Sequence, residues 1–387
     1  MLLKNGNIYT AENDCPIEAD MVISDGRIEE IAQKIPDNGT YGEVLDLQGK
    51  ALLPGFIDIS TCLGIVEAGK RIEETNQTDK TNRFTPNFRM IDGVYWQDDY
   101  FRKAAENGVT TVVVNSKYES PLGGQSCAVK TGGEGVTCNR ILSSYIDMHG
   151  TLGNRVKNNY DTLRVSPLSR MGIMRGIRDV LLQKNTREPG SVRQRTSATS
   201  DVGEDGPIRS LMTKDKPLKM TASLFQDIQA LIDLSDELGI RVILDEGTES
   251  YMLIDELKER MIPVVLGSLL EETSREELSN RRDDIGVMLE KAGLPFCFST
   301  HHPHVSIELY HMSACLHIRN GVSETAALKA MTIHPAAALG LSDRIGSLRK
   351  GKDADILVFD GDPFRSLTPL LLTIINGRVI YENRKRD

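Results

Sequence analysis

Paired cysteines and long apolar runs are both missing from this sequence. Six cysteines are scattered through 387 residues, and none belongs to a Cys-x-x-Cys pair. This pattern argues against a disulfide framework and favours a reducing compartment. The apolar runs fall well short of a membrane span, and Met1–Gly6 lacks the charged-then-apolar layout of a secretion signal. We therefore expect a cytoplasmic protein with no membrane partner.

Basic clusters and nucleotide-binding loops are missing as well. The formal net charge is −9, and the terminal Arg384–Arg386 is too short to form a basic block. A chain of this charge disfavours binding to nucleic acid. The sequence has neither the glycine-rich loop of dinucleotide-binding folds nor the Gly-x-Ser-x-Gly turn of serine hydrolases. It therefore predicts no nucleic-acid partner and no dinucleotide cofactor.

The two ends of the chain share one style of strand and turn. Asn5-Gly6 and Asp25-Gly26 separate short apolar runs near the start, and Asn376-Gly377 does the same near the end. Such pairs supply the positive φ angles of hairpin turns at little cost. Two unrelated β appendages are one interpretation. We favour a single composite β-sandwich domain from residues 1–52 and 345–387, because neither end alone has enough strands to bury a face.

The middle of the chain alternates between apolar strands and helical patterns. The runs 240–244, 262–266 and 295–299 are apolar without alternation, which is typical of strands buried on both faces. Helical patterns lie between them, one of them ended by Gly239 and another by Gly293. We therefore predict an α/β fold in which residues 53–344 form a (β/α)8 TIM barrel. The polar stretch 189–215 is predicted to be a mobile insertion.

Several motifs along the chain resemble those of one enzyme family. Pro54–Asp58 reads Pro-Gly-Phe-Ile-Asp, which opens the barrel in the amidohydrolase superfamily, and Gly346–Asp355 matches a segment near the end of its chains. Gly123–Ser126 and Glu277–Arg281 are similar to segments of the imidazolonepropionase-like branch. The resemblance runs nearly end to end. It implies a barrel that binds one or two divalent metals and metal-dependent hydrolysis of C–N bonds, although not of peptide bonds in folded proteins.

The positions that bind or assist the metal in that family hold other residues here. Five of them are substituted: Ser60 and Cys62 stand for the first-strand His-x-His pair, Thr221 for the fifth-strand histidine, Glu246 for the sixth-strand histidine and His301 for the catalytic aspartate. Serine and threonine are poor zinc ligands beside imidazole, thiolate or carboxylate. The resemblance therefore implies the fold of the family without its usual zinc site, and we expect no metal cofactor.

The candidate residues at the barrel mouth are Cys62, Lys130, Glu246, His301 and His302. Cys62, Glu246 and His301 could form a re-made site for zinc or another divalent metal. We give more weight to a bland interpretation, in which Cys62 is a small buried hydrophobe and the histidines are hydrogen-bonded loop residues. Without a metal, the charge of Glu246 is relieved by protonation or by a cation beside it, and we expect pairing with His301 or Lys130.

These observations favour an amidohydrolase-like pseudoenzyme that has lost the family's hydrolysis. Two alternatives stay open. The first is a hydrolase with the re-made site, and the second is a non-catalytic binding or regulatory partner. A small-molecule ligand and self-association into a homo-oligomer are the partners left open. His311, His317 and His334 are expected to have structural roles.

Overall fold

A computed structural model describes residues 1–66, 82–133, 139–162, 167, 169–182, 206–273 and 276–383, with no account of the side chains of 160–162. The greater part of the predicted insertion, 189–205, lies outside these residues. Its last part is described and is helical: Pro207–Met212 forms a short helix, and Leu211 is fully buried. The predicted insertion therefore extends too far, because this apolar anchor docks the segment on the barrel.

The described residues contain sixteen strands and ten α-helices. The strands are β1 (Leu2–Ile8), β2 (Ile17–Ser24), β3 (Arg27–Ala32), β4 (Val44–Asp46), β5 (Ala51–Pro54), β6 (Phe56–Thr61), β7 (Val109–Val114), β8 (Gly124–Lys130), β9 (Ile141–Thr151), β10 (Leu218–Ala222), β11 (Val242–Glu246), β12 (Val264–Leu266), β13 (Phe296–Phe298), β14 (Ile356–Phe359), β15 (Leu370–Ile375) and β16 (Arg378–Glu382).

The α-helices are α1 (Asp99–Glu106), α2 (Asn154–Thr162), α3 (Arg170–Leu181), α4 (Pro207–Met212), α5 (Phe225–Leu238), α6 (Ile254–Glu259), α7 (Ile285–Ala292), α8 (Tyr310–Arg319), α9 (Glu324–Met331) and α10 (Ile333–Ala338). Gly239 and Gly293 end α5 and α7 in the left-handed conformation, at the places predicted from the sequence. None of the described helices has the length and apolar character needed to cross a membrane.

One sheet is assembled from both ends of the chain. Its order is β16-β15-β14-β5-β1-β2-β3, and β4 pairs with β1. The antiparallel pair β5–β14, with Leu53 opposite Leu357, joins the N-terminal strands to the C-terminal ones. A core cluster that includes Leu3, Met21 and Ile356 covers one face. The predicted composite β unit is present, while the domain boundaries at residues 52 and 345 stay a prediction.

The second sheet is the barrel, with β6 to β13 in sequence order. Seven of its strands each place one residue in a common apolar cluster: Ile59, Val113, Ala128, Ile146, Ile243, Val265 and Cys297. Ile59 of the first strand and Cys297 of the last strand belong to the same cluster, as expected for the inner layer of a sheet that curves back on itself. The Tyr310 hydroxyl helps to join the first strand to the last, since it donates to Ile57 O at 2.9 Å and lies 3.4 Å from Phe298 O.

The barrel confirms the predicted fold with one local difference. β8 runs antiparallel to both neighbours, β7 and β9. The connection on each side of β8 therefore joins strand ends at one edge of the barrel, and neither connection needs a crossover helix. Because β8 runs the other way, its last residue, Lys130, lies at the opposite end of the barrel from the last residues of the parallel strands. This reversal decides where Lys130 can act.

Candidate functional site

The barrel mouth is formed by the C-terminal ends of the parallel strands, where enzymes of this architecture carry their active sites. Ser60 is the next-to-last residue of β6, Thr221 the next-to-last of β10, and Glu246 the last of β11. His301 follows β13 by three residues. All four side chains are buried. The strand ends thus bring together residues that are far apart in the sequence.

A carboxylate that the sequence analysis missed lies at the centre of this group. Asp245 Oδ2 accepts hydrogen bonds from Ser60 Oγ at 3.0 Å and from Thr221 Oγ1 at 2.9 Å. Asp245 Oδ1 lies 2.8 Å from His301 Nε2. Asp245 is fully buried. Together with His149, these residues form what we call the Asp245 cluster: Asp245, Ser60, Thr221, His149 and His301.

The charges within the Asp245 cluster favour an ion pair. Burial alone would raise the pKa of Asp245, but the charge and hydrogen bond of His301 hold it well below its usual range. Burial alone would likewise lower the pKa of His301, but the charge and hydrogen bond of Asp245 raise it to about 9. At neutral pH the cluster therefore contains a carboxylate bonded to an imidazolium.

His149, on β9, is the second residue that the sequence analysis missed. Its Nδ1 lies 3.0 Å from Ser116 Oγ, and its Nε2 lies 3.2 Å from Thr221 Oγ1 and 4.0 Å from Asp245 Oδ2. Burial and the nearby ammonium of Lys219 lower the pKa of His149 to about 3. His149 is therefore a neutral imidazole that uses both ring nitrogens on hydroxyl groups.

A buried ion pair lies beside the cluster, within the same strands. Lys219 precedes Thr221 by two residues on β10, and Asp147 precedes His149 by two on β9. Lys219 Nζ donates to Ile59 O at 2.7 Å and lies 2.9 Å from Asp147 Oδ2. The Asp147 oxygens have no well-oriented hydrogen-bond donor among the described residues, so this contact is an ion pair without good hydrogen-bond geometry. Both side chains have zero exposure.

A sequence signal existed for His149, although not for Asp245, whose neighbour two residues earlier is Ile243. Residues two apart on a strand share a face, and pairs of polar residues at that spacing occur near the mouth ends of two strands. Asp147 with His149 is one such pair, and Lys219 with Thr221 is another. The sequence analysis followed family positions instead, and so did not use the spacing.

Lys130 does not belong to the barrel mouth, contrary to the sequence-based prediction. Its ammonium is hydrogen-bonded to Asp355 and lies 3.4 Å from Asp353, both from the segment just before β14. Lys130 is 1% exposed. The physical reason is the reversed direction of β8, which carries its last residue to the far end of the barrel. Lys130 is therefore a structural tie to the terminal sheet.

Cys62 and His302 have structural contacts. Burial raises the pKa of the Cys62 thiol to about 12, and its sulfur lies 3.9 Å from Ser116 O. Burial lowers the pKa of His302 to about 4, and its Nδ1 accepts from Ile307 N at 3.3 Å. The His302 ring packs on Tyr100 with centroids 4.5 Å apart. A protonated thiol and a neutral, packed imidazole fit the bland interpretation of these two residues.

Glu246 pairs with a cation, but not with either of the two expected. Its Oε1 lies 2.9 Å from Arg155 Nη2, and its Oε2 accepts from Ser223 Oγ at 2.8 Å. The expectation of His301 or Lys130 was wrong because Asp245 holds His301 and Asp355 holds Lys130. Glu246 and His301 both have positive φ angles, 72° and 47°. Non-glycine residues in this conformation concentrate at functional sites.

Tyr118 separates the Asp245 cluster from a cavity at the barrel mouth. Its ring lies edge-on to both His149 and His301, with centroids 5.4 Å away, and its hydroxyl is 3.4 Å from Ser60 Oγ. Tyr118 is 2% exposed. Beyond it lies a cavity of about 440 Å³ lined by Lys117, Tyr118, Glu119, Arg155, Asn158, Asn159, Glu276, Glu277 and His304. We call this space the mouth cavity.

Metal-ligating side chains are not clustered in the ranges that the structure describes. Within those ranges, no group of three or more His, Cys, Asp or Glu side chains is arranged to hold a metal ion. The donor atoms of the Asp245 cluster point to one another instead, in the hydrogen bonds given above. The arrangement therefore consists of a closed polar cluster beneath a mixed-charge cavity.

Comparison with known proteins places similarity along the whole chain. A family model described as "Amidohydrolase family" matches residues 292–381. An imidazolonepropionase of Geobacillus kaustophilus is 25% identical over an alignment covering 93% of this chain and 84% of that protein. A dihydroorotase of Aquifex aeolicus is 22% identical, covering 98% and 97%. Amidohydrolase tasK of Hapsidospora irregularis is 21% identical over 89% of this chain, which spans only 38% of that protein.

Solved structures agree with these matches. The crystal structure of an amidohydrolase from Thermotoga maritima MSB8 superimposes with a TM-score of 0.88 and 29% identity, covering 99% of this chain and 100% of the other. A Xaa-Pro dipeptidase structure superimposes with a TM-score of 0.54 at 14% identity, over 99% of both chains. The second match shows a shared fold alone.

Proposed function

Since the chain belongs to the amidohydrolase superfamily, in its imidazolonepropionase-like branch, we propose what its altered site does. The protein binds a small molecule at the barrel mouth and lacks the metal-dependent hydrolysis of C–N bonds that the family resemblance implies. Internal charges take the place of a resident dication. This proposal makes the chain a diverged, non-hydrolytic member of its family.

The observation that carries the proposal is the saturation of Asp245. Its two oxygens accept from Ser60 and Thr221 and pair with His301, all within 3.0 Å. A buried carboxylate without compensation would be costly. Here the imidazolium of His301 supplies the compensating charge at Oδ1, and the hydroxyl groups of Ser60 and Thr221 donate to Oδ2. The cluster needs no added cation to be stable.

The residues present do not fit the metal site that the family implies. Serine and threonine hydroxyls are weak zinc ligands, and in this chain they donate to Asp245. His149 uses both nitrogens on hydroxyl groups. A metal ion bound here would first have to displace the ion pair between His301 and Asp245. We therefore derive no catalytic step through a metal.

The alternative site of Cys62, Glu246 and His301 gains little support. Each side chain has a different hydrogen-bond partner: Ser116 O for Cys62, Arg155 and Ser223 for Glu246, and Asp245 for His301. The Cys62 thiol, with a pKa of about 12, stays protonated at neutral pH and is a poor nucleophile and metal ligand.

A second candidate function follows from one specific observation. His149, Asp245 and His301 are all residues of ligand-competent types, and they meet in one small volume. If zinc displaced the proton between His301 and Asp245 and the three side chains turned toward it, they would be its ligands, and the protein would be a hydrolase with a ligand set different from that of its relatives.

Metal content separates the two candidates. The protein is purified without chelators and analysed for zinc and other divalent metals, and zinc is then titrated into it by calorimetry. The proposal expects far less than one metal per chain, no saturable zinc binding, and no turnover of the substrates of imidazolonepropionase or dihydroorotase. Near one zinc per chain, lost in Asp245→Asn and retained in Arg282→Gln, would overturn the proposal and establish the second candidate. Arg282 is a control because it is an exposed arginine paired with Asp284.

A further inference from the structure

Two buried carboxylates adjoin the ammonium of Lys130 at the end of the barrel opposite the mouth. Lys130 Nζ is hydrogen-bonded to Asp355 Oδ2 and lies 3.4 Å from Asp353 Oδ2. The side chains of Lys130, Asp353 and Asp355 are only 1%, 5% and 6% exposed. We propose that Lys130 and Asp355 condense into an intramolecular isopeptide bond, which joins β8 of the barrel covalently to the terminal sheet. The ion pair is the state that precedes this bond, and both states tie the two sheets together.

The reaction is the condensation of an amine with a carboxylic acid. Lys130 Nζ gives up a proton and attacks Cγ of Asp355 with the lone pair that is freed. The bond that forms is Nζ–Cγ, and the bond that breaks is Cγ–Oδ2. Oδ2 leaves as water with two of the protons that Nζ carried. An ammonium and a carboxylate thus become a neutral secondary amide and one water molecule, and neither an oxidant nor a reductant takes part.

Asp353 is placed to carry the protons of this reaction. Its Oδ2 lies 3.4 Å from Lys130 Nζ and 2.8 Å from Arg344 Nη2. A carboxylate in this position can take a proton from the attacking nitrogen and deliver it to the departing oxygen. Arg344 stays beside Asp353 after the condensation, so the product leaves no buried carboxylate without a cation.

A backbone N–H group holds the other oxygen of Asp355. Asn376 N donates to Asp355 Oδ1 at 3.0 Å. Asn376 lies in the turn between β15 and β16, and this hairpin fixes the direction of its N–H group. Negative charge develops on Oδ1 when Nζ attacks Cγ. A donor that already points to this oxygen stabilises the developing charge without rearrangement.

The backbone on both sides of the bond is fixed, so the reacting atoms are held together. Lys130 N donates to Arg140 O at 2.7 Å, and Arg140 Nε donates to Lys130 O at 3.1 Å. Asp355 O accepts from Gly55 N at 2.9 Å. Well-oriented groups within one molecule reach effective molarities of about 10⁵ M or more. Burial of the three reacting side chains also excludes the water that would hydrolyse the amide.

A second buried pair in the same chain provides a matched comparison. Lys219 and Asp147 have zero exposure, and Lys219 Nζ lies 2.9 Å from Asp147 Oδ2. Among the described residues, Asp147 is the only carboxylate within ion-pair distance of Lys219, and neither Asp147 oxygen accepts a well-oriented hydrogen bond. This pair therefore has burial and proximity but lacks both the proton carrier and the backbone donor. We expect Lys130 to react and Lys219 to stay a free amine.

The mass of the denatured full-length protein tests the bond. The condensed chain is lighter than its sequence mass by about 18 Da, the mass of one water. Trypsin does not cut after an acylated lysine, so a digest should contain residues 118–140 joined to residues 353–365. Residues 215–219 should be released unmodified. The full sequence mass, together with free peptide 353–365 after days at neutral pH, would overturn the inference.

Two variants separate this bond from other losses of water. Lys130→Arg keeps a cation beside Asp355 and forms no amide, so its mass should equal the sequence mass. Asp353→Asn keeps the size of the side chain but takes no proton, so the linked fraction at a given time should fall at least about tenfold. A loss of water that persists in Lys130→Arg, such as a succinimide at Asp25-Gly26, would overturn the assignment. Equal linkage in wild type and Asp353→Asn would overturn the role given to Asp353.

Discussion

The proton on His301 makes the stability of this protein depend on alkaline pH. A histidine whose pKa is raised by folding stabilises the native state fully below its unfolded pKa, and this stabilisation is lost as the pH rises through the folded pKa. Folding raises the pKa of His301 to about 9, because the carboxylate of Asp245 outweighs the effect of burial. The perturbation we choose is His301→Gln, which keeps a hydrogen-bond donor beside Asp245 and removes the titrating group.

The size of the effect follows from the two pKa values. With an unfolded pKa near 6.5 and a folded pKa of about 9, His301 contributes roughly 3 kcal/mol to the free energy of unfolding below pH 6. The contribution falls by about 1.4 kcal/mol per pH unit between pH 6.5 and 9 and is nearly gone at pH 10. Between pH 6.5 and 9 the wild-type protein should therefore lose about 2 to 3 kcal/mol through this one residue.

Urea unfolding at a series of pH values from 6 to 10 measures this loss. Three buried thiols also contribute to the pH dependence in this range. Burial raises the pKa of Cys62, Cys127 and Cys297 in the folded state, so these thiols lose their protons only when the chain unfolds. Those thiols are present in His301→Gln, so the difference between the two curves isolates His301. Asp245→Asn should likewise abolish the loss of unfolding free energy that His301 causes between pH 6.5 and 9, since it removes the charge that holds the proton. Parallel curves for wild type and His301→Gln across pH 6.5 to 9 would refute the ion pair.

Three further predictions concern acid stability, the two ends of the barrel and the composite sheet. Burial lowers the pKa of three enclosed histidines, His149, His302 and His317. At pH 5 each is protonated in the unfolded state and neutral in the folded state, so each should reduce the free energy of unfolding by about 2 kcal/mol. The melting temperature should therefore fall steeply between pH 7.5 and 4.5, and a flat profile would contradict the burial of these histidines. Lys130→Met should destabilise the protein by about 3–5 kcal/mol in urea, because it leaves Asp355 buried without its cation while Asp353 keeps Arg344. Lys329→Met, at a pair that is 30% and 78% exposed, should cost less than about 1 kcal/mol, and equal losses would refute the assignment of Lys130 as a tie. Truncation after Leu341 removes β14 to β16 and uncovers β5, so the product should aggregate, and a soluble fragment with a cooperative melt would count against a shared sheet.

The tertiary structure decided the arrangement of the site. Lys130 looked like a barrel-mouth residue in the sequence, but β8 runs antiparallel and carries it to the other end of the barrel. Glu246 was expected to pair with His301 or Lys130, but it is hydrogen-bonded to Arg155, which lies on a helix and 91 residues earlier in the chain. Strand direction and side-chain competition of this kind depend on contacts between distant segments, which local patterns do not encode.

The sequence by itself determined the class of fold and the family. Apolar strands without alternation, helices ended by Gly239 and Gly293, and paired turn residues at both ends were enough to predict a barrel with a sheet built from the two termini. The resemblance also led us to expect Ser60 and Thr221 at positions where relatives carry zinc ligands, and that assignment stays a prediction. Only the folded chain placed Asp245 and His149 beside them, because β9 and β11 flank β10 in the sheet and the curvature of the barrel brings Ser60 of β6 to Asp245. Periodicity specifies which face of a strand is buried, whereas closure of the barrel specifies which buried groups meet.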